Sequence, residues 1–224
     1  MALDINQKKG GIPEGADPLV DGVLRFRAFI AKNGGAVAFF LVAIAVVVGG
    51  ILVYNALRES QNRKAQELFG VGILDYNADQ FDKALESFTQ AAGKYKSTPQ
   101  GTMSAFMAGS IYLRQNNVDQ AVTWFETAVS GAESGFVRGQ ALEGLAAAYE
   151  EKGDNAAAIR SLERALRDKA VVHRRSAIRW KLALLNKDNA NAASRYCKEL
   201  IADTLAAQYH QKAENLLASV NAGK

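Results

Sequence analysis

The feature that most constrains this chain is the stretch from Gly34 to Tyr54, GGAVAFFLVAIAVVVGGILVY, which holds no charge, no carboxamide and no proline. At 1.5 Å per residue, about 20 such residues cross a hydrocarbon layer of ~30 Å as a helix. Twelve of them are Val, Ile, Leu or Phe. Each is worth roughly −0.3 to −0.6 kcal/mol on insertion, so the bilayer is favoured by several kcal/mol. A soluble core helix of this length would carry a polar stripe, and this one has none. Tyr54 sits where an interfacial aromatic belongs, with Asn33 before the run and Arg58 and Glu59 after it. The expectation is one transmembrane helix over 34–55. The run is longer than the apolar part of a secretory leader, and VYNALRES after it offers no cleavage pattern, so the anchor is expected to stay uncleaved.

The rest of the chain falls on either side of this anchor. Residues 1–18 carry Gly10, Gly11, Pro13, Gly15 and Pro18 with few apolar residues, and are expected to form a disordered tail. Residues 19–33 are either an amphipathic lead-in lying at the headgroups or a plain run into the span. Inside the span, Gly34, Ala38, Ala45 and Gly49 share one helix face and would admit another membrane helix at close range. Near its ends the basic residues tie, Arg25, Arg27 and Lys32 against Arg58, Arg63 and Lys64. Lys8 and Lys9 tip the balance towards a cytoplasmic amino terminus, with the domain of 56–224 across the membrane. The net charge of +4 divides as +1 before the span and +3 after it, too little to argue for nucleic acid. Cys197 is the sole cysteine, which excludes an intrachain disulfide and any multi-cysteine metal site.

Beyond the span the sequence repeats. Ala84, Phe88 and Ala91 recur as Ala121, Phe125 and Ala128, and again as Ala158, Leu162 and Ala165, with a period of 37 residues. Positions i, i+4 and i+7 share a helical face on which two alanines admit a neighbouring helix and the larger residue fills the gap. Twelve residues before each set stands another small residue, Gly72, Gly109 or Ala146. Between them NADQFD, QNNVDQ and KGDNAA have the composition of tight turns. Each unit is therefore a helical hairpin that must stack on its neighbours to bury its apolar face. Sequence alone places all three prolines, Pro13, Pro18 and Pro99, outside helices.

The segments LEGLAAAYEEKGDNAAAIRSLERAL and AGSIYLRQNNVDQAVTWFETAV closely resemble tetratricopeptide repeats. The resemblance implies an all-α solenoid with units about 65–98, 102–135 and 139–170, a degenerate unit 173–201 and a capping helix 202–220. The first helix of unit one is expected to be shifted or fused to the helix leaving the membrane. In unit four, Trp180 is expected at the place of the small residue, with Ala192 and Tyr196 on the second helix. The layout of RFRAFIAKNGG, an apolar span, YNALRESQNRKAQELF and then repeats also resembles the YfgM-like family of ancillary subunits of the bacterial SecYEG translocon. That resemblance implies a single-pass protein of the bacterial inner membrane with a periplasmic repeat domain. Its implied partners are the translocon, a membrane-anchored chaperone and unfolded client segments.

Nothing in the sequence points to chemistry. His173 and His210 lack a second ligand at helical spacing, and no Walker, G-x-S-x-G or paired-carboxylate arrangement occurs. No cofactor, small-molecule substrate or enzymatic activity is expected. The tetratricopeptide resemblance implies a concave groove lined by Phe69, Ile73 and Tyr76, by Met103, Phe106 and Leu113, and by Gln140, Glu143 and Glu150. That groove would be apolar at one end and acidic at the other, suited to an extended or helical apolar segment. A second candidate is the basic cluster of Arg160, Arg164, Arg167, Arg174 and Arg175, for an acidic partner loop or anionic headgroups. Two functions follow: an accessory or chaperone-like scaffold of translocation or envelope biogenesis, or a cytoplasm-facing adaptor that tethers a complex to the membrane.

Overall fold

The computed structural model describes residues 18–132 and 135–222, and every regular element among them is helical. Of the expected tail, residues 1–17 lie outside the described residues. The chain divides into two compact units, Met1–Leu57 and Arg58–Lys224.

Helix α1 (Pro18–Asn77) carries the apolar run. Pro18 opens it, and Pro99 opens a later helix, so both stand inside helices, which corrects the sequence expectation. The physical reason is that the first helical N–H has no intrahelical partner, so proline loses nothing there, and its φ is already helical. In the first unit the backbone leaves helical geometry at Asn33 (φ −117°, ψ 24°), next to Gly34 and Gly35. Beyond that point apolar side chains are exposed all round; Phe39 is 71% and Val46 69% exposed. The most apolar window holds no buried residue. Such a helix fits a membrane anchor, because lipid is the solvent in which that surface costs nothing.

In the second unit, residues 58–77 of α1 pair with α2 (Phe81–Lys94). The next hairpins are α3 (Pro99–Arg114) with α4 (Val118–Gly131), and α5 (Phe136–Glu151) with α6 (Asn155–Arg167). A 3₁₀ segment, Lys169–Arg174, leads into α7 (Arg175–Leu185), which pairs with α8 (Ala190–Ala202). Helix α9 (Ala207–Ala222) closes the stack against α8. Successive helices pack together and α3 also packs on α5, which is the layout of a solenoid of hairpins.

The first two hairpins share one kind of close contact. A Cβ on Gly72 would lie 2.6 Å from Phe88, and one on Gly109 would lie 2.8 Å from Phe125. Mid-helix glycine costs roughly 0.5–1 kcal/mol against alanine. Burying the ring that the bare backbone admits gains about 1.5–3 kcal/mol, so packing wins. The third hairpin reaches the same end with Ala146 and Leu162, both fully buried. The turns repeat as well: Asp79 (φ 56°), Asn116 (φ 59°) and Gly153 (φ 77°) adopt left-handed backbone at the same position. After each, the next N–H returns to a helix carbonyl: Gln80 to Asp75 at 2.9 Å, Asn117 to Tyr112 at 2.8 Å, Asp154 to Tyr149 at 2.9 Å. These bonds satisfy carbonyls that the helix end leaves open.

The fourth hairpin departs from the period. Buried Ala183 of α7 stands 37 residues after Ala146, whereas Ala193 and Cys197 of α8 stand 35 after Ala158 and Leu162. The connection is two residues shorter, and the pair that matches Ala158 and Leu162 is Ala193 and Cys197, one residue after the expected Ala192 and Tyr196, so counting back from Ala192 lands on Trp180, three residues before Ala183. The small residue is Ala183, and Trp180 is half-buried on a cavity wall.

Candidate polypeptide-binding groove

Helices α3, α5 and α7 together line an open groove of about 530 Å³. Its floor is aromatic: Phe106 of α3 tilts against Phe125 of α4 with ring centroids 5.9 Å apart. Leu113 lies two turns along α3 from Phe106, and Gln140 and Glu143 enter from α5. Arg174 and Lys181 form the far rim. Both are held by carboxylates, since Arg174 Nε and Nη2 donate to Glu143 Oε1 and Oε2 at 2.6 and 2.8 Å. The hydrogen bonds to Glu143 hold that guanidinium above its ordinary pKa. Lys181 Nζ lies 2.7 Å from Glu150 Oε1. Arg114, also on the rim, sits 4.6 Å over the Phe81 ring. The carboxylates expected to make one end of the groove acidic are thus each matched by a cation from the next hairpin.

The structure brings Phe106, Leu113, Gln140 and Glu143 together in this groove. Glu150 lines a neighbouring cavity of about 610 Å³ with Trp180 and Leu184, and Lys181 forms a wall of both. Met103 is half-buried on α3 and does not line the groove. Phe69, Ile73 and Tyr76 do not line this groove but pack against a cluster shared by the first two hairpins, with Ala84, Phe88 and Ile111. Phe69 lies 5.8 Å from Phe88 and Tyr76 5.5 Å from Phe81, centroid to centroid, and both rings stay half-buried; the first pair repeats the Phe106 and Phe125 contact one period earlier.

The basic residues separate in the same way. Arg160, Arg164 and Arg167 are exposed on α6, and Arg175 is half-buried at the start of α7. Arg174 belongs to the groove. Glu163 accepts from the Tyr196 hydroxyl at 2.8 Å and lies 3.8 Å from Arg195, engaging α8 across the hairpins.

The remaining reactive side chains are taken up structurally. His173 stacks on Phe136 at 6.2 Å, and a ring nitrogen of His210 lies 3.0 Å from the Asp203 carbonyl oxygen. Among the described residues no cluster of His, Cys, Asp or Glu is arranged to hold a metal ion. Cys197 is fully buried, and burial pushes its thiol pKa up, which keeps it protonated and poorly nucleophilic.

Sequence reasoning missed Arg114, Phe125, Arg174 and Lys181 as groove residues. The period carried part of the signal: Phe69, Phe106, Glu143 and Trp180 stand 37 apart, one position per hairpin. The two rim cations keep a spacing of their own, since Arg174 and Lys181 each stand 31 residues after the carboxylate they meet, but that spacing is not the 37-residue period of the repeat.

Comparison with known proteins agrees with this architecture. The sequence model for a tetratricopeptide repeat-like domain matches residues 27–176. A crystal structure of the MamA protein superposes with a TM-score of 0.57 at 15% identity, covering 71% of this chain and 82% of that one. A tetratricopeptide repeat protein from Parabacteroides merdae ATCC 43184 gives 0.57 at 18% identity, over 72% of this chain and 61% of that one. This chain therefore matches less than two thirds of the Parabacteroides protein. No curated protein sequence matches. At these identities the solved structures speak for the fold alone, that of stacked helical hairpins. With the match extending over more than half of its length, the chain belongs to the tetratricopeptide repeat-like domain family.

Proposed function

We propose that this protein is a membrane-anchored scaffold that binds polypeptide segments in the groove between α3, α5 and α7. On this reading residues 34–55 hold it in the bacterial inner membrane with the amino terminus cytoplasmic and the repeats periplasmic. Its partners are the translocon or a membrane-anchored chaperone together with unfolded client segments, and its role is that of an accessory or chaperone-like factor of translocation or envelope protein biogenesis. The likeness of residues 19–220 to ancillary translocon subunits supports that setting.

The observation that carries the binding role is the open apolar floor of Phe106, Leu113 and Phe125 beneath a rim of ion pairs. Apolar floors supply affinity by burial, while fixed charges at the rim set register and exclude wrong partners. Leu113 is half-buried and packs against the core, so Leu113→Asp puts a carboxylate on the floor at some cost in stability. Full-length protein solubilised from membranes is expected to lose partner recovery about tenfold, or 1.4 kcal/mol, at equal amounts of folded protein as read from its melting curve. Thr123→Asp, on the exposed face of α4, serves as the control. Equal recovery for both variants would remove the groove from the account.

A further inference from the structure

We propose that residues 19–32 form an interfacial helix that lies along the membrane surface, its stripe of Leu19, Val23, Phe26 and Ile30 resting on the boundary between headgroups and acyl chains. The inference rests on 34–55 being the span, and it adds a second, distinct membrane contact.

The first argument is length. The uncharged run 34–57 already supplies about 36 Å of helix, more than the ~30 Å of hydrocarbon available. Residues 19–32 therefore have no room inside the core. They nevertheless expose large apolar side chains, with Val23 and Phe26 each 65% and Phe29 57% exposed. The headgroup boundary is the apolar surface next to the point where the span ends.

The second argument is the arrangement of charge. At about 100° per residue, positions 19, 23, 26 and 30 fall within an arc of about 60°. Asp21, Arg25 and Lys32 fall within about 40° on nearly the opposite side. Arg25 and Asp21 pair there at 2.8 Å. Arg27 flanks the apolar stripe, where its long stem reaches back to the phosphates. Val20, Leu24 and Phe29 fall between these two arcs, so the apolar face is broad and the polar one narrow, which suits a helix seated at the headgroup boundary.

The third argument is the backbone break. Asn33 leaves helical geometry, and its carboxamide donates to the Phe29 carbonyl oxygen at 3.1 Å. A break at the junction frees the first segment from the axis of the second. Without one, the segment would continue along the span and lift Phe26 and Val23 off the bilayer by 1.5 Å for each residue.

The test uses full-length protein carrying Cys197→Ala, reconstituted in vesicles of phosphatidylcholine and phosphatidylglycerol. Single nitroxide labels replace Val23, Phe26, Ile30, Arg25, Lys32 and, as a reference, Val46. Collisional relaxation by oxygen and by a water-soluble nickel chelate reports depth. Labels at Val23, Phe26 and Ile30 are expected to share one shallow depth with oxygen favoured, those at Arg25 and Lys32 to favour nickel, and that at Val46 to be deepest. Adding Phe26→Glu is expected to return the Val23 label to water and leave Val46 in place. A depth that steps steadily outward from Ile30 to Val23 overturns the proposal. So does equal nickel access at all five positions, or shielding of the stripe from both reagents, which marks a protein partner or a second copy. A shallow Val46 label overturns the span itself and this inference with it.

Discussion

Gly109 and Phe125 meet inside one hairpin, where a Cβ on the glycine would stand 2.8 Å from the ring. The same ring lies against Gly144 of the next hairpin, so one side chain ties two repeats together. Gly109→Ala is expected to cost about 1–3 kcal/mol through overpacking, measured by urea unfolding. The double change Gly109→Ala with Phe125→Leu copies the Ala146 and Leu162 pair of the third hairpin. It is expected to be less destabilised than the sum of the single changes, by about 0.5–3 kcal/mol. Strict additivity would contradict this account of the repeat.

The turns make a second prediction. Gly153 fills the left-handed turn position that Asp79 and Asn116 fill at some strain. Asn116→Gly is expected to stabilise the protein by a few tenths up to about 1 kcal/mol, and Gly153→Ala to destabilise it by about 1 kcal/mol. The two denaturation midpoints should move in opposite directions.

How much of this was legible in the sequence depended on whether contacts kept the period. Gly72, Gly109 and Ala146 announced the hairpins because each faces a residue of its own hairpin at fixed spacing. The small residue of the fourth hairpin was misplaced by three residues, two because its connection is shorter, which no helical periodicity records, and one because Ala193 and Cys197, rather than Ala192 and Tyr196, hold the matching places. Phe69, Ile73 and Tyr76 occupy groove positions by register, yet the first hairpin packs them against Phe88 and Phe81. The rim cations were illegible for a different reason: Arg174, from a 3₁₀ segment, and Lys181, from α7, both meet their carboxylates at a separation of 31 residues, which the 37-residue period does not contain.

That pair is itself open to test. Arg174→Ala leaves Glu143, whose side chain is 18% exposed, without its bidentate partner. The loss is expected to be about 1–2 kcal/mol, between the values for exposed and buried pairs. Arg174→Lys should restore less than half of it, since an ammonium cannot engage both oxygens in the same plane. Thermal melts of the three proteins check this.

Alkaline pH should weaken the stack between α6 and α8. Tyr196 is buried, and burial followed by its hydrogen bond to Glu163 raises its pKa above the ordinary value. The folded state therefore holds that proton more tightly than the unfolded chain. The resulting stability is fully present below the unfolded tyrosine value near about 10 and falls as pH rises beyond it. Tyr196→Phe should flatten the stability profile above about pH 10.

The central claim is that the groove, and not the outer face of the repeats, meets other polypeptides. Photocrosslinking in intact membranes tests it most directly, with a benzophenone amino acid at Gln140 on the groove wall or at Thr123 on the exposed face of α4. Discrete protein adducts from position 140, with none from position 123, are predicted. Adducts from 123 alone, or the same adducts from both, would contradict the account.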